Sequence, residues 1–168
     1  MEDIVEGMDH VATVVEQWRA ERPDLDSSPL LVIARIHRIA AALTPELVEV
    51  YARHGLGEGD FDVLATLRRQ GAPYSLTPGE LGARTMVTSG AVSKRVDRLA
   101  ARGLVERRVS TSDRRSRTVV LTAAGRRLID AAVAEHVANE ARLLDGLSRE
   151  ERSQLGVLLG RLAESLGV

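Results

Sequence analysis

Apolar residues recur at three- and four-residue intervals over most of this chain, and the interruptions are short. Ile4, Val5, Met8, Val11, Ala12, Val15 and Trp18 predict an amphipathic helix over 3–20. Residues 22–29 break it, with Pro23 and Pro29 set among Asp and Ser. A long helix should then run from about residue 30 to 53, with Ile33, Ile36, Ile39, Leu43, Leu47 and Val50 on one face. Thr44-Pro45 falls inside it and predicts a kink or a restart, because proline brings no amide proton and crowds the preceding turn. Gly55, Gly57 and Gly59 punctuate. Asp60 or a neighbour is expected to cap the next helix, which buries Phe61, Leu64 and Leu67 and ends before Gly71. Tyr74-Ser75 reads as a short extended piece.

A different rhythm begins at Thr77-Pro78-Gly79-Glu80, a threonine cap with proline at the first helical position and glutamate three residues on. Leu81 anchors that short helix, and the chain turns through Arg84 to Val87. Thr88-Ser89 opens a second helix whose buried stripe is Val92, Val96 and Leu99, with Gly103 placed for a left-handed C-cap. Residues 104–108 and 118–122 read as two short strands around a polar, basic loop. Helix, turn, helix and hairpin make a winged helix-turn-helix: a mainly α fold with a small β-hairpin wing. Thr122 caps a further helix over 123–144, and Ser148 with Glu151 forms a second capping box before a last helix carrying Leu155, Leu158, Leu159, Leu162 and Leu166.

These outer helices hold more apolar surface than one small winged helix can cover. A second copy would cover it and give a two-fold homodimer, whose two reading helices meet half-sites about one DNA turn apart. The expected plan is a single domain over 1–168. In it, 3–20 is an extra N-terminal helix, 28–55 and 123–168 are dimerisation helices, and 56–122 is the DNA-binding lobe.

Charge sharpens the picture. The whole chain carries 23 basic and 24 acidic residues, a net of −1. Between Arg84 and Arg127, however, twelve basic residues face only Asp97, Glu106 and Asp113, so that segment is +9 and the remainder −10. A polyanion-binding face is hidden in a neutral total. Ser89, Ser93, Lys94 and Arg98 lie off the buried stripe, where hydroxyls and cations reach base edges or phosphates. Arg98 has an alternative: a salt bridge to a nearby acid. Arg114 and Arg117 suit salt-dependent phosphate contacts.

Composition excludes several classes. No cysteine is present, which removes disulfides and thiol-based sensing. His10, His37, His54 and His136 are far apart and form no metal-ligand spacing. No Gly-rich strand-to-helix loop is present for a nucleotide cofactor, so an enzyme is not expected, and no cofactor either. No apolar run reaches the length of a membrane span and the N-terminus is acidic, so a soluble cytoplasmic protein is expected.

Residues 113–125, D-x-R and then V-x-L-T-x-x-G, resemble the wing signature of the MarR family of bacterial transcriptional regulators. Residues 89–99 with Gly103-Leu104-Val105 resemble that family's recognition helix and its exit. The resemblance implies a DNA-binding dimer on a pseudo-palindromic operator, with the N- and C-terminal helices as dimer lobe. It implies that Arg115 enters the minor groove. Asp113 orients that arginine, and Thr88 belongs to the same DNA-facing set.

Trp18, Asp62, Arg69 and Arg95 further resemble the ligand-binding set of the urate-responsive subgroup, which also has an extra N-terminal helix carrying a tryptophan. Indole offers a flat face and one donor, and guanidinium forks match planar anions. The resemblance implies a repressor released from DNA by a small anion such as urate. Each residue also has a plainer reading: Trp18 as a packing anchor, Asp62 and Arg69 as surface charges, Arg95 as a phosphate contact. Citrate- or aconitate-type acids fit an arginine cluster as well. A ligand-independent winged-helix DNA-binding or protein-interaction module stands as the other class.

Overall fold

The computed structural model describes residues 9–85, 89–109 and 117–167, with the backbone alone at 89–91. Two compact units divide the chain, Met1–Glu46 and Leu47–Val168.

In the first unit, α1 spans His10–Glu21. It begins at His10 because Asp9 has left helical geometry (φ −55°, ψ 116°) and its side chain accepts the Val11 N–H at 3.0 Å. The helix expected from residue 3 is thus cut at Asp9, and Ile4, Val5 and Met8 lie outside the described residues. The same carboxylate pairs with Arg35 at 2.5 Å, and Arg35 first, then Val11 N–H, holds it below the ordinary aspartate range. Val11 and Val15 are buried. α2 spans Leu30–Arg53; of the expected kink or restart at Pro45 there is no restart, and from Leu47 on its residues belong to the second unit. Ala41, whose carbonyl Pro45 leaves without a helical donor, is exposed, so water can reach it, and Thr44 Oγ1 donates to the Ala40 carbonyl at 2.8 Å.

In the second unit the order is α3 (Glu58–Arg69), β1 (Ser75–Leu76), α4 (Pro78–Arg84), α5 (Ser89–Ala101), β2 (Val105–Val109), β3 (Arg117–Leu121), α6 (Ala123–Leu143) and α7 (Arg149–Leu166). Gly57, not Asp60, is the N-cap of α3. Asp60 sits inside the first turn and is buried. The predicted capping boxes at Thr77/Glu80 and Ser148/Glu151 are both formed. The sheet has three strands, not two, in the order β1-β3-β2 and antiparallel throughout. Ser75 pairs with Val120 and Leu76 with Val119, so the piece read as merely extended closes the sheet.

One core gathers Leu64 and Leu67 of α3, Leu81 of α4, Val92, Val96 and Leu99 of α5, Val105 and Val119 of the strands, and Ile129 and Ala132 of α6. The front half of α6 therefore packs into the winged helix, while Val137 is exposed further along it. No residue of α7 is buried, and Leu155, Val157, Leu158, Leu159 and Leu166 face outward.

The L-T-x-x-G end of the wing signature has a local explanation. Gly103 is left-handed (φ 69°), and Leu104 N–H returns to the Leu99 carbonyl at 3.0 Å, which ends α5 and starts the wing. Thr122 Oγ1 accepts the Gly125 N–H at 3.0 Å, capping α6, and donates toward the Gly103 and Leu104 carbonyls at 2.8 and 3.1 Å. Gly125 then lies so close that a Cβ would fall 2.0 Å from the Leu104 carbonyl oxygen. Only glycine lets α6 pass there.

Candidate nucleic-acid interface and ligand cleft

α5 presents two sides. Val92, Val96 and Leu99 are buried, while Ser93 and Lys94 are exposed, off that stripe. Arg117, at the start of β3, is exposed beside them in the wing. Arg107 of β2 pairs with Asp97 of α5 at 2.8 Å, fixing strand to helix. Ser89 contributes its helical backbone only, and Thr88, Asp113, Arg114 and Arg115 lie outside the described residues.

Arg98 is engaged elsewhere. Its Nε and NH2 donate to Asp60 Oδ2 and Oδ1 at 3.2 and 2.5 Å, the fork geometry of a bidentate pair. That bond lifts the Arg98 guanidinium above its ordinary value. Sequence had offered this as the alternative reading of Arg98, without naming Asp60.

Asp62 and Arg69, one face of α3, share a cleft of about 360 Å³ with Leu47, Tyr51, Glu58, Phe61, Ala65, His136 and Glu140. Its floor is aromatic. Tyr51 and Phe61 stack at 4.3 Å, and His136 tilts against them at 5.5 and 5.0 Å. Burial, then the charges of Glu140, Glu58 and Asp62, push the Tyr51 phenol upward. Thr66 Oγ1 lies 3.4 Å from Asp62 Oδ1. Arg69 NH2 donates to the carbonyl of Arg84, the last residue of α4, at 2.5 Å.

Arg95 does not line the cleft. Its guanidinium lies over Gly59, next to the cleft residue Glu58, and its buried NH1 has no hydrogen-bond acceptor among the described residues. Trp18 stands on α1 of the first unit, 48% exposed. Sequence reasoning missed Tyr51, Glu58, His136 and Glu140. Two stacked rings in a chain with four aromatic residues were the only available hint, since α6 meets α3 through packing that no local spacing announces.

A reading helix with a polar outer side, joined to a basic wing over a shared core, defines a winged-helix DNA-binding regulator. The MarR family model matches residues 54–116. The HTH-type transcriptional regulator PecS of Dickeya dadantii is 41% identical over 93% of this chain and 94% of its own. The HTH-type transcriptional repressor YetL of Bacillus subtilis is 28% identical over 86% of each. The crystal structure of AbsC, a MarR family regulator of Streptomyces coelicolor, superposes with a TM-score of 0.74 at 26% identity, covering 84% of this chain and 96% of that one. The chain belongs to the MarR family of transcriptional regulators.

Proposed function

We propose that this regulator is a homodimeric repressor that leaves its operator when a small planar anion such as urate enters the cleft beside α3. The observation that carries this reading is the cleft's chemistry: an aromatic floor, one arginine, and the three carboxylates Glu58, Asp62 and Glu140. A flat heterocycle stacks on Tyr51 and Phe61, places its anionic edge on Arg69, and offers ring N–H donors to the carboxylates. Urate has both faces of this chemistry. Citrate and aconitate have no flat ring and no N–H donors, and they bring further negative charge against three carboxylates, which disfavours them. This separates two ligands that the arginines alone leave equivalent.

The route from cleft to DNA runs through two arginines. Arg69 holds the carboxyl end of α4, and an anion that takes its guanidinium competes with the Arg84 carbonyl. Arg95, with a buried nitrogen lacking an acceptor among the described residues, is drawn toward a negative charge arriving beside Gly59. Both motions shift the two helices of the DNA-reading motif. A ligand binding more tightly to the shifted arrangement empties the operator. Trp18 joins the set by resemblance, as a flat face for the ligand. Operator contacts are assigned to Thr88, Ser89, Ser93 and Lys94, and in the wing to Arg114, Arg115 and Arg117, with Asp113 orienting Arg115.

Dimerisation is supported by the exposed leucines of α7, an apolar surface a monomer would leave wet. The repressive sign is supported by the YetL relative, itself named a repressor. Isothermal titration of the protein with urate, and separately with citrate, tests the ligand. Saturable urate binding lost in Arg69→Ala and weakened in Asp62→Asn is expected. Citrate binding without urate binding would move the ligand to the carboxylic acids. Binding of neither, with operator affinity intact, would leave a ligand-independent DNA binder.

A further inference from the structure

The first turn of α3 touches the reading helix through two arginines in two different ways. Arg95 rests on Gly59 with a nitrogen lacking a partner among the described residues, whereas Arg98 is bound through Nε and NH2 to Asp60. The Asp60 side chain is only 5% exposed and that of Arg98 is 55% exposed. The carboxylate is thus the buried member of the pair and the arginine its link to the surface.

From this asymmetry we infer that Asp60 is a positioning residue. It anchors the C-terminal half of α5 through Arg98, and Arg98 serves as that anchor and not as a phosphate contact. Removing Arg98 is costly, because the buried Asp60 carboxylate is then left without compensation. One solvent-screened phosphate contact does not offset that loss. Position along the helix agrees. Arg98 lies in the third turn of α5, which begins at Ser89, and the N-terminal residues of a reading helix are those that reach base edges. Arg98 therefore ties α5 to the first turn of α3 by a fork, whereas Arg95 packs on Gly59 with NH1 unbonded among the described residues.

The test is operator binding without added ligand, measured against salt, for Arg98→Gln, Arg98→Lys, Asp60→Asn and the double variant Asp60→Asn/Arg98→Gln, with Lys94→Gln as the phosphate-type comparison. It is independent of which ligand the cleft takes. An anchor predicts a several-fold loss of affinity in each Arg98 and Asp60 single variant with the salt slope unchanged. It predicts no further loss in the double variant. Lys94→Gln should instead flatten the slope by about 1. Arg98→Lys discriminates directly, because lysine keeps the charge but not the fork. As an anchor it fails like glutamine, and as a phosphate contact it retains near-normal binding. The inference is overturned if Arg98→Gln flattens the slope by about 1 while Asp60→Asn binds as well as, or better than, the parent protein. A melting curve for each variant separates loss of anchoring from loss of fold. Should Asp60→Asn unfold, the two Arg98 variants alone decide.

Discussion

The guanidinium of Arg95 covers Gly59 so closely that a Cβ at position 59 would lie 2.0 Å from Cζ, 2.3 Å from Nε and 2.4 Å from NH1. Three such similar distances put that point over the face of the guanidinium plane. Glycine at 59 is therefore what allows an arginine of the reading helix to lie against α3 beside the cleft residue Glu58. Gly59→Ala should fold, since the clash falls on the far end of a flexible side chain. It should displace Arg95 and blunt the proposed urate-driven release from DNA, as Arg95→Ala should. A full urate response in Gly59→Ala, measured by operator titration, would remove Arg95 from the switching route.

Gly125 meets backbone instead of a flexible tip. Gly125→Ala forces its methyl onto the Leu104 carbonyl, and overpacking of this kind costs about 1–3 kcal/mol. For a chain of this size that is about 2–4 °C of melting temperature for each kcal/mol. Gly160→Ala, on α7 with nothing within 4 Å, should be neutral or raise the melting temperature. Equal effects at the two positions in a thermal melt would contradict the packing explanation of the L-T-x-x-G pattern.

Leu158 and Leu159 are exposed on a helix with no buried residue. Leu158→Glu together with Leu159→Glu should convert the protein from dimer to monomer in light scattering coupled to gel filtration. Operator affinity should fall steeply with it, because two half-sites are then read by separate molecules. A variant still dimeric would place the interface elsewhere.

The Glu80 carboxylate accepts from Thr77 N–H and Oγ1, both at 2.8 Å, and those bonds, with Arg84 a smaller contributor, hold its pKa below the ordinary glutamate value. A carboxyl depressed in the folded protein stabilises it fully above the unfolded value, and that contribution is lost as pH falls through the lower, folded value. Stability should therefore decline with acidification below the glutamate range, and Glu80→Gln should show a smaller decline. Parallel pH–stability curves for the two proteins would contradict the sign argued here.

What sequence made legible follows from range. The boxes at Thr77/Glu80 and Ser148/Glu151, and Gly103 at the end of α5, are decided within a few residues and stood where they were expected. The start of α1 was misplaced because apolar spacing continues through Met8, and only the bond from Val11 N–H reveals Asp9 as a cap. β1 has two residues, too few for alternation to register, and owes its existence to pairing with β3. Asp60 looked like a cap because acids favour first turns. Its actual partner lies 38 residues away, beyond any local pattern. Asp62 and Arg69 could be grouped by resemblance, but Tyr51 and His136 reached the same cleft only through packing of distant helices.

The most direct measurement is fluorescence anisotropy of a labelled operator fragment from the gene's own upstream region, bound by the protein and titrated with urate. Progressive loss of anisotropy is expected with urate, little change with citrate at the same concentration, and no release in Arg69→Ala or Arg95→Ala. Unchanged anisotropy at saturating urate, with the same salt-dependent binding as before, would contradict a planar anion as the signal that empties the operator.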